Sequence, residues 1–333
     1  FVSTTNEIDP EQTRQLLEHA YLQGDPRALG QAQAQLDQSK DQSLETLMLR
    51  ARALQSNHKF EDAKLLLQQI LDKNPADADA LLTLSSLLLV QGQFDAARNY
   101  CDKLTDASLR VYQLTCNAQI QTMTGELDEA KQTLSGLMSL APGLDASTAR
   151  WLYLIQADAA LRSNDTVLAE QVFTVMDTQT VPALMARADW LLSQNEYQQV
   201  HDLLKDHTDK DALLLRLITA QLKLNDPKAK QNLNLMQERL EVWRIRKEKA
   251  HLREQATYAL LANKTDSALK LAQENWQQQR ETADITIYAT AAIKANSEAD
   301  IEIIQQFIKD SGFEYPALAL SLDKRSLSKE IPL

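Results

Sequence analysis

Glycine and proline are scarce in this chain, 7 and 8 residues of 333. Sheets joined by tight turns draw steadily on both and on Asn-Gly pairs, so a strand-based fold is set aside. Two cysteines, Cys101 and Cys116, are too few for a cysteine-rich metal site. No apolar run reaches the roughly 18 residues a helix needs to cross a bilayer. The longest, residues 81–90, carries Thr83, Ser85 and Ser86. Positive charge is also short, 35 Lys and Arg against 46 Asp and Glu for a net −11, so the basic footprint of a nucleic-acid binder is missing. No HExxH, glycine-rich phosphate loop or GxSxG elbow occurs, and the five histidines show no paired ligand spacing. These patterns point to no catalytic constellation, no metal and no cofactor. What remains is a chain 44% hydrophobic and rich in Leu, Ala and Gln. Such straight-chain helix formers predict an all-α fold with an ample core.

The helices come in pairs. Residues 44–75, LETLMLRARALQSNHKFEDAKLLLQQILDKNP, hold two helix-length apolar patterns around a polar break, and a proline stops the second. A close copy follows, LLTLSSLLLVQGQFDAARNYCDKL. Breaks of this kind fall at Gly24, His58, Gly92, Gly125, Asn164, Asn195, Asn225, Asn263 and Asn296, at intervals of 34, 34, 33, 39, 31, 30, 38 and 33 residues. Gly and Asn tolerate the left-handed conformation that ends a helix. About nine helix–turn–helix units are therefore expected. Five residues after most breaks stands a small or apolar residue: Ala63, Ala97, Ala130, Ala169, Val200 and Ala268. Seven before stand Ala51, Ser85, Ala118, Ala157, Ala188, Ala256 and Ala289. This pairing is the close-contact point of a helical hairpin. Phe60, Phe94 and Tyr197 follow the turns as wedges, and Pro75 and Pro142 end second helices.

These positions resemble the tetratricopeptide repeat, most clearly over 44–140 and more loosely over 148–208 and 250–310. The first-helix Trp of that consensus is absent. The resemblance implies a right-handed α-α superhelix, a single solenoid over residues 1–312 (regular at 44–140, irregular at 148–310), with a cap and tail over 313–333. The later half, notably LAQENWQQQRETAD, also resembles exported bacterial repeat proteins. With a chain that begins at Phe1, this leads us to expect a periplasmic or otherwise exported product, with the cytoplasm as the alternative. The 39-residue interval holds Pro142-Gly143, which marks a longer loop, with Asp145 or Ser147 capping the next helix. The 38-residue interval is expected to be absorbed by an extra helical turn.

If first helices line the concave side, Arg52, Ser86, Gln119, Asp158, Asp189, Thr219 and Thr257 point into the groove, which suits an extended peptide or a partner helix. The resemblance implies carboxylate capture by basic groove residues. Only Arg52 has that chemistry here, and Asp158 and Asp189 would repel a carboxylate, so a mixed or basic segment fits the middle better. Trp151 is the tryptophan expected to reach the groove; Trp190, Trp243 and Trp276 read as core fillers. The segment RLEVWRIRKEKAHLR is basic: Arg239, Arg246 and Arg253 recur every seven residues with Lys249 beside them. On one helix this is either a docking face for an acidic partner or anionic headgroups, or a solvated side over inward-packing Leu240, Val242, Trp243 and Leu252. Cys101 and Cys116 stand at matching heights on neighbouring antiparallel helices, as a disulfide or as two buried thiols. The function expected is a non-catalytic interaction scaffold, with envelope assembly as its setting. The alternative is an enzyme or enzyme subunit with scattered groove carboxylates.

Overall fold

The computed structural model describes residues 8–177, 179–246 and 251–323. Among these every regular element is helical, and they divide into two compact units, Phe1–Leu89 with Gln93–Asn117, and Val90–Gly92 with Ala118–Leu333. The first holds the hairpins α1 (Pro10–Gln23) with α2 (Pro26–Gln38) and α3 (Leu44–Ser56) with α4 (Phe60–Lys73). It also holds most of α5 (Ala78–Val90) with α6 (Phe94–Cys101), and the start of α7 (Arg110–Met123). The second runs from the end of α7 through α8 (Leu127–Met138), α9 (Ala146–Ser163), α10 (Thr166–Val175), α11 (Val181–Ser193) and α12 (Tyr197–Leu204). It continues with α13 (Asp211–Lys223), α14 (Lys228–Arg246), α15 (Leu252–Leu261), α16 (Thr265–Trp276), α17 (Thr282–Lys294), α18 (Glu298–Ser311) and α19 (Pro316–Asp323).

Each expected break is a left-handed residue, with φ between 51° at Asn164 and 76° at Gly125. At eight of the nine, the next residue's N–H reaches back five residues, as in Lys59 to Leu54 O (2.9 Å), Gln93 to Leu88 O (2.8 Å) and Lys264 to Ala259 O (2.8 Å). This pattern closes a helix by satisfying a carbonyl its last turn leaves open. Among the described residues the nine expected hairpins are therefore present, and they make an all-α helical solenoid in which α1/α2 through α17/α18 form the units. The small positions are where they meet: Ala51, Ala63, Ala97, Ala118, Ala130, Ala169, Ala188, Ala256, Ala268 and Ala289 are all fully buried. A larger side chain there would force the helices apart, at about 1–3 kcal/mol. Phe60 and Phe94 are buried as wedges, and Tyr197 packs half-buried against the cluster around Leu191, Leu204 and Leu217.

The irregular intervals resolve into helix length. Residues 141–143 form a single 3-10 turn rather than a long loop. The extra residues go into α9, which has 18 residues where α3, α5, α11 and α13 have 13. Asp145 caps it, accepting from the Ser147 and Thr148 N–H groups at 3.0 Å. The other long interval becomes the 19-residue α14.

The segment after Gly312 packs on the last repeat and also reaches earlier helices. Leu318 and Leu322 of α19 are buried, and α19 packs on α17. Residues 313–315 reach much earlier helices of the second unit: the Glu314 N–H donates to Met123 O at 2.9 Å and Arg162 donates to Glu314 O at 2.6 Å. Nearby in the same unit, the Arg280 N–H donates to Val90 O at 2.7 Å, and a Cβ built on Gly92 would lie 2.8 Å from the Phe307 ring. Residues 324–333 of the expected tail lie outside the described residues.

Candidate functional site

In the first unit, Arg52 and Ser86 sit on the first helices of their hairpins. The Ser86 hydroxyl accepts from Gln55 Nε2 at 3.4 Å. Arg52 faces Asp79 at 3.5 Å across a cavity of about 280 Å³ lined by Arg14, Leu44, Glu45, Met48, Leu49, Arg52, Asp77 and Asp79. Arg14 spans α1 to α3 and meets Glu45 at 2.5 Å. All four charged partners are substantially exposed, Arg52 at 37% and Asp79 at 65% of the side chain. Exposed pairs of this kind hold by less than about 1 kcal/mol, so an incoming carboxylate or amine replaces them at little cost. Arg14, Glu45, Asp77 and Asp79 were not legible as site residues, because they come together only when three hairpins stack.

In the second unit the remaining groove positions are engaged within the fold. Gln119 accepts from Trp151 Nε1 at 2.9 Å, tying α7 to α9; Trp151 sits in the second turn of its helix, half-buried. Asp158 holds Arg162 Nε at 2.8 Å, and Asp189 holds Arg216 in a two-point pair at 2.7 and 2.8 Å. Neither carboxylate is a bare negative charge, which removes the basis for expecting them to repel an acidic segment. The spacing of Asp158 and Arg162 was visible in the sequence; the pairing of Asp189 with Arg216, one hairpin on, was not. The Thr219 and Thr257 hydroxyls donate to the carbonyls of Leu215 and Arg253 at 2.9 and 2.8 Å, the usual helical back-bond.

The basic stretch is not one face. α14 is described as far as Arg246, and Arg253 belongs to α15, which starts after the left-handed His251 at φ 73°. The seven-residue spacing therefore does not run along a single helix. Arg239 donates to Asp211 Oδ1 at 2.6 Å. Arg253 is clamped by Asp284 at 2.6 and 2.7 Å and by Glu281. Burial works against its charge, but the Asp284 and Glu281 carboxylates raise its pKa well above the ordinary value. The Arg246 side chain and the whole of Lys249 lie outside the described residues. Leu240 and Trp243 pack against the cluster around Ile218 and Met236, and Leu252 is buried. Val242 instead faces solvent, because the inward stripe on α14 passes through its neighbours. Trp243 stacks on His251 at 4.1 Å; Trp190 and Trp276 are buried fillers.

Cys101 and Cys116 are joined as a disulfide between α6 and α7, with Cα atoms 5.7 Å apart. The Ser85 hydroxyl lies 3.1 Å from one sulfur and 3.3 Å from the other. Among the described residues no group of three or more His, Cys, Asp or Glu is placed to hold a metal, and no helix is long and apolar enough to cross a membrane.

Residues 54–109 match the family model described as tetratricopeptide repeat. No curated protein matches the sequence. Among solved structures the chain is similar to the crystal structure of Ton1535 from Thermococcus onnurineus NA1, 14% identical over 95% of this chain and 98% of that one. The TM-score is 0.29, too loose a superposition to bear on fold or function.

Proposed function

We propose that this chain, which matches the tetratricopeptide-repeat model over residues 54–109, is a non-catalytic scaffold that grips a peptide segment or partner helix on its first-helix face. Repeats of this family generally mediate protein–protein interaction. The observation that carries the reading here is the cavity beside Arg14 and Arg52. Two guanidiniums held by exposed, weak pairs border an apolar floor of Leu44 and Met48, with Asp77 and Asp79 alongside. A segment of mixed charge would replace those pairs with its own, its acids on the arginines and its amines on the aspartates, while burying an apolar side chain between them.

The reading extends to an envelope assembly factor in a bacterium. Its support is the Cys101–Cys116 disulfide, since such bonds persist in oxidising compartments and are rare in reducing ones. Both parts are tested together. Proteins retained by the immobilised wild-type chain from the envelope fraction of its host are compared with those retained by the Arg14→Glu, Arg52→Glu variant. The variant should keep its helical circular dichroism and lose the specific partner. Identical capture by both chains would overturn the site, and thiol alkylation showing free cysteines in the native protein would overturn the compartment.

A further inference from the structure

Residues 313–315 cross the second unit as a non-helical stretch of chain between α18 and α19. The middle residue, Glu314, is recognised through its backbone. Its N–H donates to Met123 O at 2.9 Å, its carbonyl accepts from Arg162 at 2.6 Å, and the residue as a whole stays exposed. The residues on either side turn inward. The Phe313 and Tyr315 rings are buried and lie 5.4 and 5.3 Å from the Arg162 guanidinium, at cation–π distance. Arg162 is itself almost fully buried and also donates to Asp158 and to the Thr282 hydroxyl. Gly125 leaves the approach open, since a Cβ there would stand 2.7 Å from the Glu314 carboxylate. Backbone bonds at one residue with side-chain pockets at its two neighbours are the way extended peptides are read.

We propose that this surface is a second peptide site, read by Arg162, for extended segments of the form aromatic–acidic–aromatic, and that the chain's own residues 313–315 occupy it as a displaceable internal ligand. The proposal deepens the scaffold reading and rests on it. It names a partner chemistry for the second unit, where Asp158 already occupies a groove position. The partner presents two aromatic rings, two residues apart, on a stretch free to bond through its backbone. A chain whose own segment fills the site binds such a partner weakly until the segment is released.

The test uses the full chain and a fluorescent peptide of residues 311–323, SGFEYPALALSLD. The wild-type chain should bind it weakly. The Phe313→Ala, Tyr315→Ala variant, whose internal ligand is weakened, should bind it at least tenfold more tightly, and adding Arg162→Ala should abolish that gain. Binding no tighter than wild type, or binding that survives loss of Arg162, overturns the proposal. Hydrogen exchange on the unmodified chain gives a second measurement that does not depend on the variant folding. Amides of 313–323 should exchange at least tenfold faster than those of α17. Exchange in step with α17 would make the segment core and overturn the proposal. Either failure leaves the Arg14/Arg52 capture experiment unaffected, because those residues belong to the other unit.

Discussion

At the scale of single residues, the acids matter most for what they accept. Asp41, just before α3, takes the Thr46 hydroxyl, then the Ser43 hydroxyl and N–H, and these bonds hold its pKa at about 2. An unfolded aspartate titrates near 3.9. The folded state therefore binds the proton less readily, so the stabilisation is complete above about pH 4 and is lost as pH falls from about 4 through 2. Asp145, held down first by the Thr148 hydroxyl, and Asp165, held down first by Lys131, act in the same direction. The Asp41→Asn variant should have a lower urea midpoint than wild type at pH 5 and a smaller fall between pH 5 and 2.5. Parallel falls would show that Asp41 does not carry this sensitivity. Little of it was legible beforehand: an acid before a helix marks a cap, but which hydroxyls converge on it depends on the turn.

At the scale of elements, the sequence was most informative where one residue has one job. Gly and Asn at eight breaks predicted eight left-handed turns because helix ends select those residues by backbone sterics alone; His58, the ninth, was found by its spacing. Small residues predicted the hairpin contacts for an equally local reason. Pro142-Gly143 misled, because a 3-10 turn accommodates the pair and the extra residues lengthen α9 instead. The heptad of arginines misled because a helix end between Arg246 and Arg253 leaves no glycine or proline as its mark. The α6–α7 pairing was narrowed to two alternatives, and the structure selects the disulfide. Closing a loop of this size is worth about 3 kcal/mol. Both cysteines are buried, so reduction requires the hairpin to open. Thiol labelling in native buffer with dithiothreitol should therefore be slow, and become fast only in denaturant, with the fully reduced protein melting several degrees lower. Prompt native reduction without a change in melting would contradict this.

At the scale of the molecule, the contacts that no repeat pattern encodes are those joining distant hairpins within the second unit. Arg280 to Val90, Phe307 over Gly92, and residues 313–315 on Met123 and Arg162 have no counterpart in a stack where each hairpin touches only its neighbours. Gly92 is the sharpest probe. It has φ 71°, where a side chain costs about 1 kcal/mol, and an added methyl would also meet the Phe307 ring. Gly92→Ala should destabilise the protein by more than that turn cost alone. A double-mutant cycle with Phe307→Ala should return the excess, and strict additivity would mean that the long-range contact contributes nothing.

The bond between Arg162 and Glu314 also orders events during synthesis. Its partners are 152 residues apart. A hairpin assembles as soon as its own residues leave the ribosome, but this site stays empty until nearly the whole described chain has emerged. For that interval the proposed site on Arg162 stands without its internal ligand. The growing chain is then the form most receptive to a partner, and the finished chain the least.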